Sequence, residues 1–364
     1  MSKSIDKPLL ETIHSGYVGE GPKVIEFENK LKSIFKNPYC LNLNSGTAGL
    51  QLALALLKIK NKGQSMGKNI VTSPLSCFAT IAPILTEGYG IRWVDIQKDT
   101  LNIDPKSIRK TINENTVAIS FVHWGGYPAD LEEIREISLE YNIPIIEDGA
   151  HCLNSTYKDS TIGDCTYSDF CMISFQAIKH LTCADGGCLL TKDQTDYELG
   201  KLLRWFGISR ESKLQDMRCA EDIVYPGYKM QMNDINATIG LCNLTEVNQN
   251  IKLAQKNVEF YKKELSDFTE ITLLQNGTDR KSSNWIFTIL VKDVIGFSRM
   301  MGEKGIAVSK VHGRLDLNSC VKKYRSDNLH NLDYVENKRI CFPCGWWVTK
   351  EDREYIIETI KKGW

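Results

Sequence analysis

The chain has 364 residues, 42% hydrophobic and 25% charged, an ordinary globular composition with length enough for two domains. Lys plus Arg equals Asp plus Glu, at 45 each, and the resulting zero net charge offers no electrostatic footprint for a nucleic acid or an anionic membrane. Residues 1–16 hold no apolar signal-peptide core and no stretch approaches the roughly 20 apolar residues of a membrane span, so a soluble, cytoplasmic protein is expected.

In chain order, residues 44–48 (NSGTA) open an apolar helix. Residues 69–73 (NIVTS) read as a strand, 77–88 (CFATIAPILTEG) as a helix ending on glycine, and 91–96 (IRWVDI) as a strand. Residues 104–112 (DPKSIRKTI) begin a helix on an Asp cap, with proline at the first helical position. A continuous apolar strand follows at 116–123 (TVAISFVH). An amphipathic helix at 129–142 is predicted to turn Leu131, Ile134, Ile137 and Leu139 to the core, before a buried strand at 143–148 (IPIIED). This alternation predicts an α/β fold, with a mostly parallel central sheet flanked by helices. From Asp164 the rhythm changes. Strands at 169–175 and 186–192 are joined by a short polar turn, and a long helical stretch spans 231–265. The tail mixes strands, such as 284–291, with helices, such as 352–362. We expect a large domain over 1–250 and a smaller α+β C-terminal domain over 251–364.

The 12 cysteines are scattered, as reduced and mostly buried thiols would be. The CxxC of Cys341 and Cys344 has no second ligand pair at zinc spacing, so no metal site is expected.

Open parallel sheets bind ligands beyond the carboxyl ends of their strands, and three features lie there. Ser45, Gly46 and Thr47 open a helix, either as plain caps or as a cradle of N–H groups and hydroxyls for a phosphate. Glu147 and Asp148 end a buried strand, with His151 beyond. An acid there serves a ribose, a metal or a ring N–H, or simply caps the next turn. Lys179 follows Ser174 at the end of another strand, just before Gly186 and Gly187. Alone it reads as a surface lysine. Together the three supply what pyridoxal 5′-phosphate (PLP) needs: a phosphate cradle, a carboxylate for the pyridine nitrogen and a Schiff-base lysine.

At these residues the chain resembles the DegT/StrS family of sugar-nucleotide aminotransferases, within the aspartate aminotransferase superfamily. The matching stretches are 15–28 (SGYVGEGPKVIEFE), 44–54 (NSGTAGLQLAL), 94–105 (VDIQKDTLNIDP), 144–151 (PIIEDGAH), 174–187 (SFQAIKHLTCADGG) and 235–241 (INATIGL). The resemblance implies the PLP-dependent transferase fold type I and a homodimer with shared active sites. It also implies amino transfer from L-glutamate to a nucleotide-linked keto sugar, with the cofactor alternating between PLP and its amino form, PMP. By the same resemblance Lys179 carries the cofactor, Asp148 pairs with the ring nitrogen, and Gly46, Thr47 and Ser174 hold the phosphate. His151 stands where the family has Gln against the phenolic oxygen. Cys77 stands where an aromatic residue stacks on the ring, with Phe78 beside it. Lys229 replaces an Asn that reaches the neighbouring subunit's phosphate. His123, Trp124, His312 and Arg314 are candidate substrate contacts, although the region of His312 to Arg314 lacks the family's His-Tyr-x-Pro pattern. A sub-branch of dehydratases carries His at the lysine position, so Lys179 favours transamination. An aminotransferase acting on a non-sugar carbonyl, a dehydratase and a catalytically silent regulator are the rival readings.

Overall fold

The computed structural model describes residues 1–210, 222–275 and 277–364. Two helices lead, α1 (Asp6–His14) and α2 (Pro22–Phe35), before strand β1 (Cys40–Leu43) and helix α3 (Gly46–Lys60). Strands and helices then alternate through β2 (Asn69–Thr72), α4 (Phe78–Thr86), β3 (Gly90–Trp93), α5 (Pro105–Thr111), β4 (Thr116–Val122), α6 (Leu131–Tyr141) and β5 (Ile145–Asp148). A small hairpin, β6 (Thr156–Tyr157) and β7 (Ser160–Thr161), precedes β8 (Phe170–Ser174), β9 (Gly187–Thr191) and α7 (Gln194–Leu203). After α8 (Asp234–Leu265) come β10 (Ile271–Leu273), β11 (Arg280–Lys281), β12 (Phe287–Val291), α9 (Val294–Glu303), α10 (His330–Glu336), β13 (Arg339–Phe342) and α11 (Lys350–Lys361).

Seven strands form one sheet in the order β1-β9-β8-β5-β4-β2-β3. The pairs from β8 through β3 are parallel, and β9 runs against both its neighbours, β1 and β8. Helices cover both faces. Leu50, Leu54, Ile81 and Tyr89 fill one core, and Phe27, Phe121, Ile134 and Ile173 another. The carboxyl ends of β2, β4, β5 and β8 open on one edge of this sheet. The loops that follow carry Cys77, His123, His151 and Lys179.

Helix α6 corrects one expectation. Leu131, Ile134 and Ile137 are buried, but Leu139 is 65% exposed. At 100° per residue Leu139 lies about 200° round from Ile137, and Ser138 takes the inward place. The Ser138 hydroxyl donates to the Ile143 carbonyl at 2.6 Å, which satisfies it inside.

A third core gathers Val258, Tyr261 and Leu265 of α8 with Ile289, Phe297 and Ile357. It packs beneath the antiparallel sheet β10-β12-β13. A division at residue 250 runs through α8, which crosses it without a break. Among the described residues no helix is long and apolar enough to cross a membrane.

Candidate active site

The first wall of the site is the start of α3. Ser45 is extended, and its hydroxyl accepts from the Ala48 N–H at 3.1 Å. That cap leaves the first N–H groups of the helix, at Gly46 and Thr47, without intrahelical partners at the positive end of the dipole. Three segments close tightly around this point. A Cβ on Gly187 would lie 2.5 Å from Gly46 N, and one on Gly46 would lie 2.8 Å from Met172 Sδ and 3.2 Å from Ser174 Oγ. Two glycines therefore bring the helix start, the tip of β8 and the head of β9 into one cradle, with the Ser174 hydroxyl at its rim.

The second wall is Asp148, 3% exposed at the tip of β5. Thr80 donates to its Oδ2 at 2.6 Å, and the Ala150 N–H donates to its Oδ1 at 3.1 Å. Thr80 is itself 2.5 Å from the Ser76 hydroxyl. Burial pushes the Asp148 carboxyl up, while Thr80, Ala150 and the Lys179 ammonium work the other way. Each carboxylate oxygen retains a lone pair for another donor. A buried acid so placed suits a protonated ring nitrogen.

Lys179 sits on the turn after β8, its N–H bonded to the Gln176 carbonyl at 2.9 Å. Burial lowers its ammonium from 10.5 to about 8, against the pull of Asp148 and Cys77. Its Nζ lies 3.8 Å over the ring of Trp285, which also stacks on His151 at 3.9 Å and 15°. His312 continues the group, parallel to His151 with ring centroids 6.0 Å apart. Burial holds His151 well below the usual imidazole range, and lowers His180 and His312 to about 4. Among the described residues, three buried imidazole nitrogens, His151 Nδ1, His180 Nε2 and His312 Nε2, have no hydrogen-bond partner.

Lys179, His151 and His312 thus lie together with Trp285 near Asp148, and Gly46 and Ser174 meet at the start of α3, with Thr47 beside them. Cys77 acts on the Lys179 ammonium while Phe78 is 42% exposed. Lys229 is exposed, its Nζ 4.6 Å over Trp205 and its carbonyl receiving the Asn44 amide at 3.3 Å.

The other proposed substrate contacts are engaged inside the chain. His123 is fully buried; its Nδ1 accepts from the Ala129 N–H at 3.0 Å, so Nε2 carries the hydrogen facing Glu147 at 2.7 Å. Neither nitrogen is left for a ligand, and the ring supports the strand tip beside Asp148. Trp124 is buried, and its indole N–H donates to Thr288 at 3.1 Å. Arg314 is held by Asp316 at 2.7 Å and by Asp333. Thr80 and Trp285 escaped the sequence reading. The first had a signal, a hydroxyl four residues after Ser76 at a helix start; the second had none beyond lying at the head of an apolar strand.

A cleft of about 820 Å³ lies elsewhere, lined by Tyr17, Glu20, Ile25, Glu28, Tyr197 and Arg204. It holds none of the groups around Lys179, so chemistry rather than volume marks the site.

The orphaned nitrogen of His151, the Gly46 cradle that a Cβ would fill and the buried acid at Asp148 all fit PLP. Fold and side chains together define a PLP-dependent aminotransferase of fold type I. The chain belongs to the DegT/DnrJ/EryC1/StrS aminotransferase family, which it matches over residues 1–361. It is similar to the solved sugar aminotransferase CalS13 from Micromonospora echinospora, at 35% identity and a TM-score of 0.94 over 100% of this chain and 98% of that one. The Streptococcus pneumoniae protein Spr1654, solved in PMP and PLP forms, is 26% identical, with TM-scores of 0.90 and 0.88 over 100% of this chain and 96% of each. The UDP-4-amino-4,6-dideoxy-N-acetyl-β-L-altrosamine transaminase of Campylobacter jejuni is 29% identical over 99% of this chain and 96% of its own length.

Proposed function

We propose that this aminotransferase moves an amino group from L-glutamate to the keto carbon of a nucleotide-linked deoxysugar, in the making of amino sugars for surface glycans. The observation that carries the reading is a buried acid, Asp148, held by Thr80 at a strand tip, close enough to the Lys179 amine for the two charges to interact. Support for the sugar comes from relatives whose names specify sugar transaminases.

When bound, PLP supplies an electron sink for breaking a Cα–H bond. The chain's own groups do the rest. Gly46, Thr47 and Ser174 would hold the phosphate at the head of α3. Asp148, fixed by Thr80 and Ala150, would keep the ring nitrogen protonated. His151 would present its free Nδ1 to the phenolic oxygen. Lys179 Nζ, with a pKa of about 8, exists in both forms near neutral pH and can take up and return a proton within the pocket.

We also read the chain as a cytoplasmic homodimer. Exposed Tyr17 and Ile25 line the large cleft at α2 and α7, and Lys229 stands exposed where a neighbouring phosphate would meet it. The described cysteines are free thiols, as a reducing compartment maintains them. The test is release of 2-oxoglutarate from glutamate in the presence of PLP and a panel of nucleotide-linked keto sugars. Turnover with a keto sugar supports the proposal; turnover only with simple keto acids refutes the acceptor.

A further inference from the structure

Trp285 enters the site from the C-terminal region, just ahead of β12, and meets the lysine-bearing turn in two ways and His151 in a third. Its indole N–H donates to the carbonyl of Ile178, the residue before Lys179, at 2.9 Å. Its ring faces Lys179 Nζ at 3.8 Å from the centroid. The same ring stacks on His151 at 3.9 Å. Asn284, immediately before it, adopts a left-handed conformation at φ 53. Below, the Ser283 hydroxyl donates to the His151 carbonyl at 2.5 Å, and the Ser283 N–H to Ser155 at 3.1 Å, so the segment carrying Trp285 is pinned to the loop after β5 that bears His151.

We infer that Trp285 is a positioning residue for the cofactor lysine: it fixes the turn through Ile178, rests the unattached Lys179 amine on its ring and sets the angle of His151. This rests on the reading of Lys179 as the cofactor-bearing residue. Among the described residues, Asp148 and Cys77 are the charged groups that favour the Lys179 ammonium, and neither supplies an aromatic face. Burial alone drives the amine toward its neutral form, whereas an aromatic face stabilises the ammonium. The ring therefore keeps the amine in a defined place and protonation balance whenever it is not bonded to the cofactor. Because Trp285 belongs to the segment that precedes β12, the seating of the C-terminal sheet is coupled to the geometry of the lysine.

The test uses the full chain without cofactor. The titration of Lys179 is read by amine-selective labelling and peptide mass measurement across pH, and the rate of PLP uptake is read by absorbance. In Trp285→Leu the Lys179 titration should move down by about one pKa unit, the worth of a desolvated cation–aromatic contact. PLP uptake should slow at least about tenfold. Trp285→Phe keeps a ring and loses the N–H, so its titration should stay close to wild type while uptake remains slowed, because the Ile178 tie is gone. Should Trp285→Leu fail to fold, Trp285→Phe alone decides. A Leu variant that titrates and takes up PLP as wild type does overturns the inference, and so does a Phe variant with wild-type uptake. Wild-type chain that acquires no PLP band at all would instead overturn the reading of Lys179 itself.

Discussion

The Thr80 hydroxyl donates to Asp148 Oδ2 at 2.6 Å and so ties the first turn of α4 to the tip of β5. Removing one partner from a buried carboxylate leaves it under-satisfied at a cost of about 1.5–3 kcal/mol. Thr80→Val is expected to lower stability by that amount in a denaturant titration and to weaken PLP binding, since an acid driven further toward its neutral form no longer favours a protonated ring nitrogen. Thr80→Ser should recover most of both. A Val variant with wild-type stability and PLP affinity would show that the contact has no such role.

Gly46 and Gly49 separate the cradle from the packing beneath it. Cβ atoms at the two positions would approach Met172 equally, Sδ from Gly46 and Cγ from Gly49, at 2.8 Å each. Both Ala variants should therefore lose about 1–3 kcal/mol through overpacking. Gly46→Ala also pushes the helix start off Ser174, so its PLP affinity should fall at least about tenfold, while Gly49→Ala retains more of it. Calorimetric titration with PLP discriminates the two; equal losses would argue against a phosphate at the head of α3.

The lysine amine sets a pH dependence. Burial brings Lys179 to about 8, so its neutral, nucleophilic fraction grows as pH rises through that value instead of through 10.5. The rate of PLP uptake should rise with a midpoint near 8. A midpoint near that of an exposed lysine would mean that the amine lies in water.

The imidazoles give a second pH dependence, of stability. His312 stands at about 4 in the folded chain against 6.5 for a free imidazole, with burial the main cause and the Lys179 and Arg339 charges adding to it. His180 stands at about 4 for the same leading reason. Between those two values the unfolded chain binds more protons than the folded one, so stability falls as pH falls through the window. Asp148, raised by burial, offsets part of the loss, because its folded carboxyl gains a proton before the unfolded one does. The drop in melting temperature between about pH 7 and about pH 5 should be smaller for His312→Gln than for wild type. An equal drop would remove His312 from the account.

The alternating elements from β2 to β5 were legible because a buried parallel strand is a continuous apolar run and its crossover helix has a different period. Asp104 and Pro105 announced α5 correctly: the Asp104 carboxylate accepts from the Lys106 N–H at 3.0 Å. Strand β1 was missed, since its four residues, CLNL, carry a polar Asn42 that is buried where Arg204 and Glu28 gather. At the site, Asp148 ends one apolar strand and Lys179 lies on the turn beyond another, the two positions that made them candidates in the sequence. His123 occupies an equivalent position at the end of β4, yet its two nitrogens are spent on Ala129 and Glu147. Position in the chain marks which strand tips face the pocket edge; only packing decides whether a side chain turns outward or down. Trp285 belongs to the same class, since no local pattern records a contact between segments so far apart in sequence.

The account depends most on Lys179 being the amine that holds the cofactor. Borohydride reduction of the PLP-loaded protein, followed by peptide mass mapping, fixes the cofactor on whichever lysine carries it. The expected result is a single phosphopyridoxyl group on Lys179, absent from a Lys179→Ala chain. Label on another lysine, or label retained by the Ala variant, would contradict it.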